Sequence, residues 1–282
     1  MSLHDRIGFD AGATRLEDAL QWAAAHGLHY VDFNADTGPN RLIGWSEERV
    51  KSVRQTSEGH DIHLGLHTTS GVNVAELAPF VSEAVDQYLR ANIDFAGRLG
   101  CEWVIVHGGF HFGSMLEARK SASLERLKLT VDYAEVVGAR ARSAGGRSPR
   151  LLLENLNFEP NDAEVHYLAH NVEECRFYFD AISSEYFGWA FTANHAHLVP
   201  EDIDGFLDAF GITRIGEVRL ADNLGVKEVH LKPGDGNIDF AALFNRLESS
   251  GYQKHYTMAF GSLEDKLQAR EMLAGYELRP ER

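Results

Sequence analysis

Short apolar runs alternate with longer amphipathic stretches along the whole chain. The first run, Arg6-Ile7-Gly8-Phe9, precedes a stretch at 15–25 in which Leu16, Ala19, Leu20 and Ala23 recur at helical spacing, with Gly27 as a stop signal. Further β-type runs are expected at 30–33, 63–67, 103–107, 151–154, 188–192, 216–220 and 255–260. Between and after them, helical periodicity predicts helices at 46–57, 74–99, 115–143, 172–182, 203–210, 240–249 and 263–273. Gly100 closes the long helix before the fourth run, 144–146 breaks the next helix, and Asn171 is placed as an N-cap. Strict alternation implies parallel strands joined by right-handed crossovers. Eight such units in 282 residues predict an α/β protein, a single (β/α)8 TIM barrel forming one domain over residues 1–282. An open doubly wound sheet is the alternative, but no Gly-x-Gly-x-x-Gly follows the first run.

In such a barrel, chemistry sits at the carboxyl ends of the strands and in the loops after them. Those points are rich in titratable residues: His67 ends the third run, His107 the fourth and Glu154 the fifth, with Asn155 beside it. Asn194, His195 and His197 follow the sixth; Arg219, Asp222 and Asn223 lie at the seventh, with Glu228 and His230 in the loop beyond. Imidazole and carboxylate suit divalent zinc, manganese or iron. Each residue has a plainer alternative. A lone His at a strand end can be a hydrogen-bonded rim residue, and Asp222-Asn223 can be turn chemistry. Glu154 is harder to explain away, since three leucines precede it and a buried carboxylate needs a partner or a proton. Trp103 and Trp189 lie within strands and read as core. Phe110, just after the fourth strand, is placed to cover a ligand as part of a loop, and residues 36–40 form a turn-rich segment suited to a lid.

Composition narrows the setting. A formal net charge of -15 argues against a nucleic-acid partner, because phosphate binding needs a positive face. No apolar run is long enough to cross a bilayer, and the amino terminus lacks the basic and apolar segments of a secretory signal, which makes the cytoplasm the expected location. Cys101 and Cys175 give no disulfide framework and are expected to be buried thiols. Nothing in the outer helices fixes the oligomeric state, and a homo-oligomer is compatible with them.

Several segments resemble the xylose-isomerase-like barrel superfamily, which includes sugar isomerases and epimerases, related dehydratases and endonuclease-IV-type enzymes. They are Gly65-Leu66-His67, Gly100-Cys101-Glu102-Trp103-Val104-Ile105-Val106-His107-Gly108-Gly109, Leu153-Glu154-Asn155, Asn194-His195, and the most specific, His230-Leu231-Lys232-Pro233-Gly234-Asp235-Gly236-Asn237-Ile238-Asp239-Phe240. The resemblance implies a four-ligand metal site, of which Glu154 fills the first position. Thr192, Arg219 and Ala259 stand where the family has Asp, His and a second Glu. It also implies two three-residue sets matching the endonuclease branch: His67, His107 and Glu154, and His195, Glu228 and His230. A divalent metal, zinc or manganese, is therefore the expected cofactor if there is one.

Arg219 suggests a substitute for the lost ion, because a guanidinium is always charged and can pair with a carboxylate. The expected arrangement is Arg219 against Glu154. The expected function is an isomerase- or epimerase-like enzyme acting on a small polyol, sugar or keto-acid. In it Glu154 is the base, Arg219 polarises the carbonyl, His107 and His195 move protons, and Asn155, Asn194, Asp222 and Phe110 contact substrate. The alternatives are a metal-independent or non-catalytic barrel that binds a small ligand, and an abasic-site endonuclease.

Overall fold

The computed structural model describes residues 1–143, 149–160 and 162–276. Eight strands close into a parallel barrel. They are β1 (Ile7–Asp10), β2 (Tyr30–Phe33), β3 (His63–His67), β4 (Trp103–Val106), β5 (Arg150–Glu154), β6 (Phe187–Thr192), β7 (Ile215–Leu220) and β8 (His255–Met258). Each strand pairs with its sequence neighbours, and β8 closes on β1 through Ile7↔Tyr256 and Phe9↔Met258. The helices between them pack on the outside, so both strand faces are dry and the strands read as near-continuous apolar runs. The outer core is large: Leu20, Phe33, Phe95, Leu127, Phe191, Phe206 and Phe244 are all buried in it. Trp103 and Trp189 are buried, and both cysteines are buried and free. No helix of the described residues is long and apolar enough to cross a membrane.

Expected and observed elements differ where local side chains override periodicity. The helix expected from residue 74 begins only at Pro79 and runs to Leu99. The Asn73 side chain accepts the N–H groups of Ala75 and Phe110, and Arg126 takes the Val74 carbonyl, so the backbone there is bound into a turn. Proline then starts the helix, since it lacks only a donor that a first turn leaves unused. Asn171 caps its helix as expected, accepting the Glu174 N–H at 2.9 Å. The expected break at 144–146 lies outside the described residues.

Two predicted loops are more ordered than expected. Phe110–His111 and His166–Tyr167 form a small antiparallel ribbon over the carboxyl end of the barrel. Phe110 is thus a half-buried ribbon residue, edge-on to Phe112 and Tyr167, rather than part of a free covering loop. The segment after β2 makes a short 3-10 turn, Gly38–Asn40, and buried Asn40 pins it by accepting the Leu16 N–H and donating to the Thr14 carbonyl. That tether argues against a mobile lid at this point.

Candidate metal and acid–base site

Strand ends β3 to β7 bring the predicted residues into one contiguous cluster. Glu154, at the tip of β5, is its hub. The Oε2 oxygen faces His107 Nε2 at 3.0 Å and His67 Nε2 at 3.4 Å, and the two imidazole nitrogens are 3.2 Å apart. The Oε1 oxygen accepts the Thr192 hydroxyl at 2.6 Å, with His195 Nδ1 at 3.8 Å and Arg219 Nε at 3.6 Å. A second group stands outside it. His195 Nε2 and His230 Nε2 reach the same oxygen of Glu228 at 3.2 and 2.7 Å.

Arg219 does stand beside Glu154, but its main partners lie deeper. Its Nη1 donates to Asp32 and Glu217 and its Nη2 to Asp10 at 2.6 Å. The residue is 2% exposed. It therefore sets charge inside the lumen and offers substrate no open donor, which corrects the expectation that it polarises a carbonyl directly. Below it, Trp103 Nε1 donates to Asp32, and Glu217 also meets His255 Nε2 and the Thr257 hydroxyl. One guanidinium thus serves four carboxylates, three of them buried and Asp10 half-buried.

The charge states follow from this crowding. Burial and mutual repulsion raise Asp32 to about 8, and burial also raises Glu217 despite Arg219, so the lower pair does not hold two full charges. Burial pushes Asp10 up as well, but His67 and Arg219 hold its carboxyl below the usual range. Glu154 is held well below it by His107 and His67 against the cost of burial. Burial depresses His107 more than Glu154 raises it. Burial and Arg219 push His67 down too, yet Asp10 and Glu154 prevail and lift it to about 9. Two touching imidazoles are thereby driven apart in basicity. In the outer group, burial is overcome on both sides: His195 is raised by Glu228, and Glu228 is lowered to about 2 by His195 and His230.

Two predicted substrate contacts, Asn155 and Asp222, serve the framework instead. Asn155 is fully buried; its side-chain Oδ1 accepts from Trp189 Nε1 and the Thr192 N–H, and its side-chain amide donates to Thr192 O. Asp222 is also buried, and its two oxygens accept the N–H groups of Asn223, Gly234, Gly236 and Ile238. It clamps the loop that carries His230. A Cβ on Gly236 would lie 2.3 Å from Asp222 Oδ1, which explains the glycine there. Phe110 is tied into the ribbon. Asn194 is different: its amide donates to Glu228, while its Oδ1 is buried without a partner.

Asp10, Asp32 and Glu217 were not singled out from the sequence. Asp10 ends β1, so the strand-end rule that found the others covers it. Asp32 and Glu217 sit inside apolar runs; Glu217 lies two residues before Arg219 on β7, and Asp32 reaches it from β2 across the barrel.

The fit to a metal divides the site. The four-ligand position cannot hold a dication: the Thr192 hydroxyl and Arg219 Nε occupy the Oε1 side of Glu154, and Ala259 offers only its carbonyl, taken by His230 Nδ1 at 2.5 Å. The two three-residue sets could each hold a metal. Ligands around one tetrahedral zinc lie roughly 3.3 Å apart, close to the three separations in the inner set and to the two Glu228–His separations in the outer. In the outer set, His195 Nδ1 is fixed by the Asn155 carbonyl and His230 Nδ1 by that of Ala259, which turns both Nε2 atoms toward Glu228. Glu228 Oε2 and Asn194 Oδ1 are buried there without partners.

The sequence matches the xylose isomerase-like TIM barrel family over residues 20–275. The chain belongs to that family. An uncharacterized protein of Methanocaldococcus jannaschii is 25% identical over 241 residues, covering 82% of this chain and 75% of the relative. A protein named probable endonuclease 4 of Bacillus subtilis is 25% identical over 236 residues, covering 80% and 75%. Among solved structures, a D-tagatose 3-epimerase-like protein superposes with a TM-score of 0.81 at 22% identity over 96% of both chains. Endonuclease IV from Thermus thermophilus gives 0.71 at 20% identity over 96% of this chain and 98% of its own. At those identities the structural likeness establishes the fold, and the family is one of sugar epimerases, isomerases and endonucleases.

Proposed function

We propose that this family member is an isomerase- or epimerase-like enzyme that moves a proton next to the carbonyl of a small polyol, sugar or keto-acid. The observation that carries the reading is the unbroken chain from His67 through His107, Glu154, His195 and Glu228 to His230, with Glu154 kept ionised at its centre. Two neighbouring groups pushed apart in basicity are what acid–base chemistry near neutral pH needs. Glu154 is the base, with His107 orienting it. His67, held between Asp10 and Glu154 and partly exposed, presents the acidic N–H. His195 orients Glu228. Arg219 is a positioning residue beside Glu154 whose fixed charge, together with His67, keeps Asp10 deprotonated. A divalent ion bound by His195, Glu228 and His230 would supply Lewis acidity for a substrate oxygen.

The test is exchange of substrate C–H for deuterium in D2O, followed by NMR over a panel of ketoses, aldoses and keto-acids. Wild-type protein exchanges a hydrogen next to a carbonyl, and Glu154→Gln slows this by about 10²–10⁴-fold with the fold retained. Absence of exchange across the panel, in metal-loaded protein, removes the proposal. A second reading, abasic-site endonuclease, is favoured by the two His-containing sets and the Bacillus subtilis relative. It is opposed by Arg219 and Thr192, which close the position between the sets, and by the net charge of -15. Cleavage of a duplex with one abasic site would establish it. Ligand-dependent stabilisation without exchange or cleavage would instead support a binding barrel.

A further inference from the structure

The opposite end of the barrel carries chemistry that proton transfer at the carboxyl-end rim does not use. Arg150 opens β5, Arg214 immediately precedes β7 and Lys254 immediately precedes β8, so topology gathers all three at one mouth. Two cavities meet there with Arg150 as their shared wall. The inner one, about 310 Å³, is lined by Tyr30, Trp103, Arg150, Lys254 and His255; the outer, about 440 Å³, by Arg150, Arg214, Ser183 and Thr213.

These cations are weakly partnered. Arg150 crosses β6 to give one Nη2 bond to Phe187 O, and its Nε is buried with no acceptor. Lys254 Nζ donates once, to Ile215 O at 2.5 Å. Arg214 lies over the Phe179 ring at 5.1 Å. Among the described residues no carboxylate is within ion-pair distance of any of the three, in a chain with 42 acidic and 27 basic side chains. Glu102 faces the inner cavity but is engaged by His63 at 2.7 Å, and Glu185 lines the outer one. His255, the remaining titratable wall with Tyr30, is pushed by burial to about 4 and adds no charge. The room is built in: a Cβ on Gly188 would lie 2.8 Å from Arg150 Cζ.

Unpaired neighbouring cations repel one another, and burial together with Arg150 lowers Lys254 to about 8. An acidic protein that keeps such a group unneutralised is preorganised for an anion from solution. Two planar guanidinium forks and an ammonium suit an oxygen-rich dianion better than a monoanionic carboxylate. We propose that the amino-terminal mouth of the barrel binds a phosphate group through Arg150, Arg214 and Lys254, with Tyr30 and Trp103 beside it. The group can come as free phosphate or as a phosphate ester; an ester with a flat substituent would use the aromatic wall.

The full chain is titrated by calorimetry with inorganic phosphate and with phenyl phosphate at constant ionic strength, using chloride as control, on wild type, Lys254→Met, Arg214→Met and Glu154→Gln. Saturable phosphate binding is expected, weakened at least tenfold in Lys254→Met and in Arg214→Met and unchanged in Glu154→Gln. NMR of labelled lysine should show the Lys254 titration move up from about 8 when phosphate is added. Tighter binding of phenyl phosphate supports the site with an ester as ligand, and equal binding supports it with the oxyanion alone. Equal heats from chloride, equal affinity in the Lys254 and Arg214 variants, or loss of binding in Glu154→Gln alone would each overturn the proposal. Both variant side chains lie at the mouth rather than in the core, and their melting curves check that the fold persists.

Discussion

The lumen around Arg219 and the rim around Glu228 both pair carboxylates with nitrogen bases and behave differently. In the lumen, Arg219 is 2% exposed and surrounded by Asp10, Asp32, Glu154 and Glu217. Charge in such a dry place needs a permanent counter-charge, because removing one ion of a buried pair strands the other. At the rim, His230 is 42% exposed on its side chain and Glu228 22%, and one oxygen of Glu228 has no partner. The unpaired oxygen is itself buried, but the partly exposed His230 gives a ligand a way in. A fixed organic cation thus suits the inside of the barrel, and an exchangeable ion the outside.

The largest expected effect tests that contrast directly. Arg219→Met leaves the lumen carboxylates without their cation and should cost about 3–5 kcal/mol in urea unfolding. Glu228→Gln should cost less than about 1 kcal/mol, the range of partly exposed pairs. Equal losses would mean that the two regions do not differ as described. Next in size is metal affinity. Glu228→Gln should weaken zinc binding about 10–100-fold in a chelator competition, the same range as Asn194→Ala if its orphaned oxygen supports the ligand. Arg219→Lys, folded, should leave that affinity unchanged. Asp222→Ala comes third. It frees four backbone N–H groups and should lower stability by about 1–3 kcal/mol while loosening the loop that carries His230, seen as faster amide exchange at residues 234–238.

The smallest effect is in the pH dependence of the rim pair. Glu228 is lowered to about 2, so its contribution is present above the ordinary carboxylate value of 4.5 and fades as pH falls toward 2. His195 is raised, so its contribution is complete below 6.5 and fades as pH climbs past its folded value. The pair therefore stabilises most between about 4.5 and 6.5. Unfolding of Glu228→Gln across pH 3–8 should lack that hump relative to wild type. A parallel curve would show that the pair adds nothing.

Much of the barrel was legible because parallel strands covered on both faces must be apolar throughout, and each run from β2 to β8 stands out between amphipathic stretches. Strand-end placement likewise exposed His67, His107, Glu154 and His195. The misreadings share one cause. Asn155 and Asp222 are polar residues near the rim, like the true cluster members, and only coordinates show their donors and acceptors consumed by backbone. Asn73 stopped a helix that periodicity extended, because one side-chain oxygen holding two N–H groups outweighs a turn's propensity.

The order of residues determined the alternation of units, the apolar strands, the caps and the replacement of three family ligands by Thr192, Arg219 and Ala259. Periodicity and residue chemistry are local properties, readable along one dimension. Tertiary structure alone decided that Arg219 turns inward to Asp10, Asp32 and Glu217 while touching Glu154, and that Arg150, Arg214 and Lys254 meet at the far mouth. Apart from Glu217, two residues from Arg219 on the same strand, these groups come from strands distant in sequence and are brought together by barrel closure.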